Sequence, residues 1–322
     1  MRVAGRRSRM RVRTLLLASV LASLIVTMGP DAARAVFPGT PGKLAFNDSG
    51  NIFTILPSGA GALRQLTFDD RSLNPRWSPD GKRIAFNRHG NIFVMWANGT
   101  NVHQVTTFGR SYQPRWSPGG RRLVFVHQAT KSASGDLWVV RATGGTPTRL
   151  TQDGAHHCDG NSHPVWSPLG GRIAYEQGVL RSPDGSCLAA WPHVVVLKLA
   201  TETKRMIVNA EDPDFTADGR GIFFSSAWDP ESSSFWPWLN LSWSGIGGAG
   251  RTMLTFLLCA EGDNCFHEGV GAPDSAYPSN ASFVYTYSIL DGPACVRTSD
   301  GAGFCDDTIP VFPSRMDWQP VP

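Results

Sequence analysis

The sequence predicts an all-β fold, a six-bladed β-propeller of four-stranded blades closed by pairing of the C-terminal strand with the N-terminal blade. Three observations carry this expectation. A unit of about 40 to 50 residues recurs along the chain, and each copy offers four short apolar segments separated by tight turns. A tryptophan returns at one register of the unit, in NPRWSPDGKRIAF from Asn74, QPRWSPGGRRLVF from Gln113 and HPVWSPLGGRIAY from His163. The two ends of the repeat region hold complementary parts of a unit, GKLAF at 42–46 matching a second strand and PSRMDWQP at 313–320 matching a first.

The first 35 residues stand outside the repeats. Met1 to Arg13 holds six arginines and no acid, Leu15 to Val26 is an apolar run, and Ala33-Arg34-Ala35 fits a small-x-small cleavage site. We therefore expect a secretory signal peptide at 1–35 and a single propeller domain at 36–322. The apolar run is shorter than the roughly 20 residues that span a bilayer. The Arg6-Arg7 pair leaves Sec and twin-arginine export both open, and no cysteine follows at the distance a lipid anchor requires.

Removing the leader changes the charge balance. The whole chain has 30 basic and 26 acidic side chains, and the leader carries seven arginines and one aspartate. The remaining 23 basic and 25 acidic groups give a formal net of −2, which removes the support for nucleic-acid binding. No second apolar stretch is long enough for a membrane span.

Within each unit the first strand ends at the tryptophan, where a large flat side chain can fill the wedge between neighbouring sheets. The turn that follows, Ser78-Pro79-Asp80-Gly81 in the first copy, has a proline to preset φ and a glycine to take the returning conformation. Gly119 and Leu169 replace the aspartate in other copies, so Asp80 is a turn residue and not a catalytic one. A second strand such as RIAF follows, then a third such as NIFVMW (91–96) or DLWVV (136–140), then a segment ending like RLT at 149–151. A degraded copy, DPDFTADGRGIFF, begins at Asp212, and a weaker first strand is expected near 276–282. First strands at Trp77, Trp116, Trp166, Phe215, 276–282 and Trp318 count to six blades. Five result if 220–290 holds one blade with long loops.

WSPDGKRIAF followed by GNIFVM is similar to the PD40 (WD40-like) repeat of TolB-type propellers, and the resemblance covers most of residues 42–320. It implies a periplasmic or extracellular protein-binding module.

What recurs in every unit serves the fold, and what occurs once is a candidate for function. The turns after strands one and three stay short. The connections after strand two and between units grow, at 127–136, 152–163, 176–192, 227–237 and 257–275. Those two connection types share one end of a four-stranded blade, so the growth falls on one face, as a recognition surface on a rigid scaffold would. Ligand-binding candidates on that face are His156, His157, Asp159 and His163 in HHCDGNSH, Asn74 and Gln113 at the register of His163, and Trp228 in the aromatic stretch 227–243. Trp238 and Trp243 of the same stretch read as core.

Imidazole and carboxylate suit zinc or manganese, which makes His156, His157 and His163 an alternative metal set. Adjacent histidines in a loop seldom converge on one ion, so the expectation is no metal and no cofactor. The six cysteines are an even set in an exported chain, which suggests disulfides formed as local pairs: Cys158 with Cys187, Cys259 with Cys265, and Cys295 with Cys305.

No GxSxG elbow, P-loop, HExxH or dinucleotide fingerprint occurs. Acids at Glu211, Asp212, Asp214, Glu261 and Asp263 lie near the same rim without forming a recognisable pair. The expected function is a non-catalytic, monomeric binding module for a protein, peptide or cell-envelope glycan. The alternative is a secreted propeller enzyme, a lyase or glycosidase, using rim histidines and acids. Asn-x-Ser/Thr sequons stand at Asn47, Asn98, Asn240 and Asn280.

Overall fold

The computed structural model describes residues 42–56, 63–131, 133–152, 160–178, 192–208, 210–216, 218–226, 240–246, 252–253, 284–288, 294–298, 303–306 and 317–318. All fall within the compact unit Arg34–Pro322. Their regular structure is entirely β. The strands are β1 (Leu44–Asp48), β2 (Asn51–Ile55), β3 (Arg64–Gln65), β4 (Ser72–Trp77), β5 (Arg83–Arg88), β6 (Asn91–Trp96), β7 (His103–Gln104), β8 (Ser111–Trp116), β9 (Arg122–Gln128), β10 (Gly135–Arg141), β11 (Thr148–Arg149) and β12 (Asn161–Trp166). They continue with β13 (Arg172–Gln177), β14 (His193–Lys198), β15 (Thr203–Ile207), β16 (Glu211–Phe215), β17 (Gly221–Ser226), β18 (Asn240–Gly245), β19 (Thr252–Met253), β20 (Val284–Ser288), β21 (Ala294–Thr298), β22 (Gly303–Asp306) and β23 (Asp317–Trp318).

These strands pair as antiparallel meanders. Sheets two to five are β4 to β7, β8 to β11, β12 to β15 and β16 to β19, each in sequence order. Sheet one has the order β23-β1-β2-β3, with Leu44 opposite Trp318 and Ala45 opposite Asp317. Sheet six has three described strands, β20 to β22, and the weak first strand expected at 276–282 lies outside the described residues. The first strands of successive sheets lie against one another, β4 on β8, β8 on β12 and β12 on β16. This arrangement puts the first strands of sheets two to five on the side where these sheets converge, their inner side.

The repeated residues explain the packing. Trp77, Trp116 and Trp166 are only 4%, 8% and 5% exposed, as expected of wedge residues. Neighbouring sheets are tied at these rings: Trp116 Nε1 donates to the Arg76 carbonyl (2.9 Å), and the Arg83 guanidinium sits 4.6 Å over the Trp116 ring. Arg122 lies likewise over Trp166, at 5.2 Å. Two residues into each apolar run of the second strand comes a fully buried ring, in turn Phe46, Phe86, Phe125, Tyr175 and Phe224. Each such ring contributes roughly 1.5–3 kcal/mol of burial.

The turn chemistry behaves as the sequence implies. Gly81 donates its N–H to the Ser78 carbonyl at 2.8 Å and has φ 64°, and Gly120, Gly170 and Gly219 repeat that positive φ. Asp80 accepts from Ser78 Oγ (2.5 Å) and the Lys82 N–H (3.2 Å), a structural use of the carboxylate. The threonine that ends each RLT-like segment has a job too. Thr67, Thr106 and Thr151 accept the N–H of Ile52, Ile92 and Leu137 at 2.8, 2.9 and 3.0 Å, clamping the incoming connection onto the third strand.

Candidate functional site

At the inner edge of four successive sheets the same local distortion recurs. The ladder between first and second strands shifts register between Leu73 and Arg76, Tyr112 and Arg115, Ser162 and Val165, and Glu211 and Asp214. Each bulge holds one left-handed residue: Asn74 (φ 53°), Gln113 (φ 53°), His163 (φ 49°) and Asp212 (φ 47°). All four precede a proline, which itself disfavours helical backbone in the residue before it. A non-glycine residue in this state costs about 1–2 kcal/mol, so the surroundings must enforce it.

Neighbouring sheets supply that enforcement through side-chain acceptors. The Asn74 N–H donates to Asn47 Oδ1 (3.0 Å), the His163 N–H to Gln113 Oε1 (2.9 Å), and the Asp212 N–H to Glu176 Oε1 (2.6 Å). Asn47 and Glu176 occupy one register, the residue after the buried ring of the second strand; Asn87 and Val126 hold it in sheets two and three. Valine cannot accept a hydrogen bond. In that sheet the longer side chain of Gln113 reaches across to His163 instead. In sheet two Asn74 Nδ2 donates to Asn87 Oδ1 (2.8 Å), keeping that amide within its own sheet.

The belt changes character between sheets four and five, where the acceptor is a carboxylate. Glu176 Oε1 holds the Asp212 N–H, while Oε2 accepts from Ser162 Oγ (2.8 Å) and lies 2.5 Å from His163 Nδ1. The same ring nitrogen is 3.7 Å from Asp212 Oδ1. Nδ1 is closed off from solvent and makes no aligned hydrogen bond, so its approach to Glu176 is off the direction of a ring N–H. The side chains are 21% exposed for His163, 17% for Asp212 and 9% for Glu176. One imidazole nitrogen and one oxygen from each carboxylate thus lie within 4.8 Å of one another, on a semi-buried face at the start of two inner strands.

Of the residues singled out from sequence, Asn74, Gln113 and His163 share the register and the left-handed conformation, and Gln113 and His163 touch. His156, His157, Asp159, Trp228, Trp238, Cys158, Cys187, Cys259 and Cys265 lie outside the described residues. Cys295 and Cys305 stand directly opposite each other in the β21–β22 ladder. Sequence reasoning missed Glu176 altogether and saw Asp212 only as one of several rim acids. A signal for both was present: Asp212 starts the degraded repeat at the position of His163, and Glu176 replaces the amide carried by Asn47 and Asn87. The Asn47 sequon is not an open acceptor, because that side chain is buried in the belt.

Comparison with known proteins agrees with the repeat geometry. Residues 59–184 match the family model of the TolB β-propeller domain, PD40. No curated protein sequence matches the chain. Among solved structures, the Agrobacterium tumefaciens structure assigned to TolB is 16% identical, with a TM-score of 0.58 over 83% of this chain and 89% of that one. A chain of a nidogen/laminin complex is 11% identical, with a TM-score of 0.57 over 86% and 98%. Hydrazine synthase of Kuenenia stuttgartiensis is 15% identical, with a TM-score of 0.59; the match spans 88% of this chain but only 46% of that one. At these identities the likeness is one of fold. Residues 59–184 are thus similar to the TolB β-propeller domain family, PD40, and the solved structures share the fold over most of the chain.

Proposed function

We propose that the chain is an exported binding module that captures a protein or peptide segment at the inner edge of its elaborated face, without catalysis. In this reading the six sheets are the blades of one closed ring, β23 completes the first blade, and residues 1–35 are removed on export. One observation carries it: Asn74, Gln113, His163 and Asp212 share one backbone conformation on four inner strands yet differ in every side chain. A backbone held the same way beneath side chains that vary is how a rigid scaffold presents a recognition surface. The enlarged connections of sheets three to five leave from the same end of the strands. The similarity of residues 59–184 to the TolB β-propeller domain supports an envelope-associated binding role, and among the described residues no helix is long and apolar enough to cross a membrane.

Site-specific photocrosslinking tests this reading. A photoreactive residue at position 113 should give one discrete adduct in envelope extract, and the same residue at 98 or 119, in the short turns of the opposite end, should give none. Equal labelling from both ends, or an adduct only from 98 or 119, would place recognition elsewhere. A protease-resistant, carbohydrate-positive adduct would replace the protein partner with a glycan.

A further inference from the structure

The geometry points to a divalent metal site of the zinc class formed by His163 Nδ1, Glu176 and Asp212 across the boundary between sheets four and five. This goes beyond partner binding and does not depend on it.

The donor set and its geometry both favour such an ion. Two carboxylates balance a dipositive charge, and one neutral imidazole nitrogen completes a three-ligand set of the kind that leaves further coordination positions open. Hard cations such as calcium and magnesium seek six or more oxygen ligands, whereas imidazole suits zinc. Zinc bonds of about 2.0 Å in a tetrahedral arrangement put donor atoms roughly 3.3 Å apart. The distances here, 2.5 Å from His163 Nδ1 to Glu176 Oε2 and 3.7 Å to Asp212 Oδ1, bracket that value. Small rotations of side chains would therefore seat an ion without moving the backbone.

The ring nitrogen is the second indication. It is buried, points into the carboxylate pair and makes no aligned hydrogen bond there, an arrangement that a coordinate bond would satisfy. The outer partners of a metal site are present as well. Ser162 Oγ holds Glu176 Oε2, the Asp212 N–H holds Oε1, and Gln113 fixes the His163 backbone. Such contacts orient ligands, and their loss commonly lowers metal affinity about 10–100-fold.

The test is calorimetric titration of the chelator-stripped full-length protein with zinc chloride, beside calcium chloride. One equivalent of zinc should bind, and calcium should not compete for it. His163→Asn and Asp212→Asn keep residues that tolerate left-handed backbone, and asparagine already occupies this register at Asn74. Each should weaken zinc binding at least roughly tenfold, with an unchanged near-ultraviolet circular dichroism spectrum. X-ray absorption at the zinc edge of the parent protein, which needs no variant to fold, should report one imidazole with oxygen ligands and no sulfur. The site is overturned if no stoichiometric zinc binds, if calcium displaces it, or if sulfur ligands appear. It is also overturned if both variants bind as the parent does, or if His156→Ala with His157→Ala abolishes binding that His163→Asn retains.

Discussion

Removing the Gln113 side chain tests whether the inner belt is a shared support for left-handed backbone. In the Gln113→Ala variant the His163 N–H loses its acceptor at 2.9 Å, and no other belt residue replaces it, because Val126 holds the acceptor register of that sheet. An unsatisfied, part-buried N–H costs about 1–3 kcal/mol, and the left-handed state of His163 loses its enforcement. We expect a loss of about 2 kcal/mol in urea denaturation. The decisive measurement is the cycle with Val126→Asn, which installs the amide that serves at Asn47. In the parent this substitution gives up a side chain only 6% exposed and buries an amide where the His163 N–H is already bound to Gln113. In the Gln113→Ala background the same amide can accept the orphaned His163 N–H. Val126→Asn should therefore cost about 1–2 kcal/mol less there than in the parent, within the usual range for residues that share a partner. If the two effects add to within about 0.5 kcal/mol, the belt is not interchangeable and the reasoning fails.

Three further outcomes follow from other parts of the molecule. Thr151→Val keeps the shape but removes the acceptor of the Leu137 N–H and of Asn161 Nδ2, and the donor to buried Asp136; at about 1–3 kcal/mol per orphaned group, the urea midpoint should fall by the equivalent of at least about 2 kcal/mol, and a neutral result would refute the clamp. Burial holds the His127 pKa below its ordinary value, against the opposing effect of the hydrogen bonds to Gly109 and Arg110. The unfolded chain therefore takes up that proton first, and stability present above about pH 6.5 should fall as the pH drops through that value towards the folded pKa. His127→Phe should make the urea midpoint less pH-dependent between pH 7 and 5, and an unchanged slope would assign the acid sensitivity elsewhere. The opposed register of Cys295 and Cys305 supports a cross-strand disulfide under oxidising conditions; non-reducing peptide mapping of the protein from such a compartment should recover a linked pair, and free thiols at both positions would exclude it.

The repeat was legible because its chemistry is local. The turn proline, the turn glycine and the tryptophan lie within five residues of one another; the proline and glycine act on their own hairpin, and the tryptophan marks the same register in each copy. The split of the first sheet between β23 and β1 could also be read, because GKLAF carries the second-strand pattern without a first strand before it. The acids of the site were not legible in the same way. Glu176 and Asp212 meet His163 only because two bulges turn their residues towards a common boundary, and a bulge leaves no residue type of its own in the sequence. Asn47 shows the converse case, a glycosylation signal by its tripeptide whose side chain the fold has already committed to Asn74.

A change of one functional group then accounts for why a site arises at this boundary and not at its neighbours. An asparagine that accepts the next sheet's N–H through its oxygen presents a second group, NH2, that can only donate. Asn47 is of this kind, and Asn87, which accepts from the Asn74 side chain within its own sheet, is likewise a structural amide. Glu176 accepts the corresponding N–H with one oxygen, so it does the same structural work, but its second oxygen is another acceptor carrying charge. Ser162 takes part of that capacity, and the rest faces an imidazole and a second carboxylate that the repeat happens to place in the register of Asn74. Removing the charge while keeping the acceptor, as Glu176→Gln does, should therefore leave the Asp212 contact and the stability of the fifth sheet nearly intact while abolishing any affinity for a cation. If Glu176→Gln instead unfolds the protein as readily as Glu176→Ala, the carboxylate is a structural ion-pair partner of His163 and the division between the two oxygens is wrong.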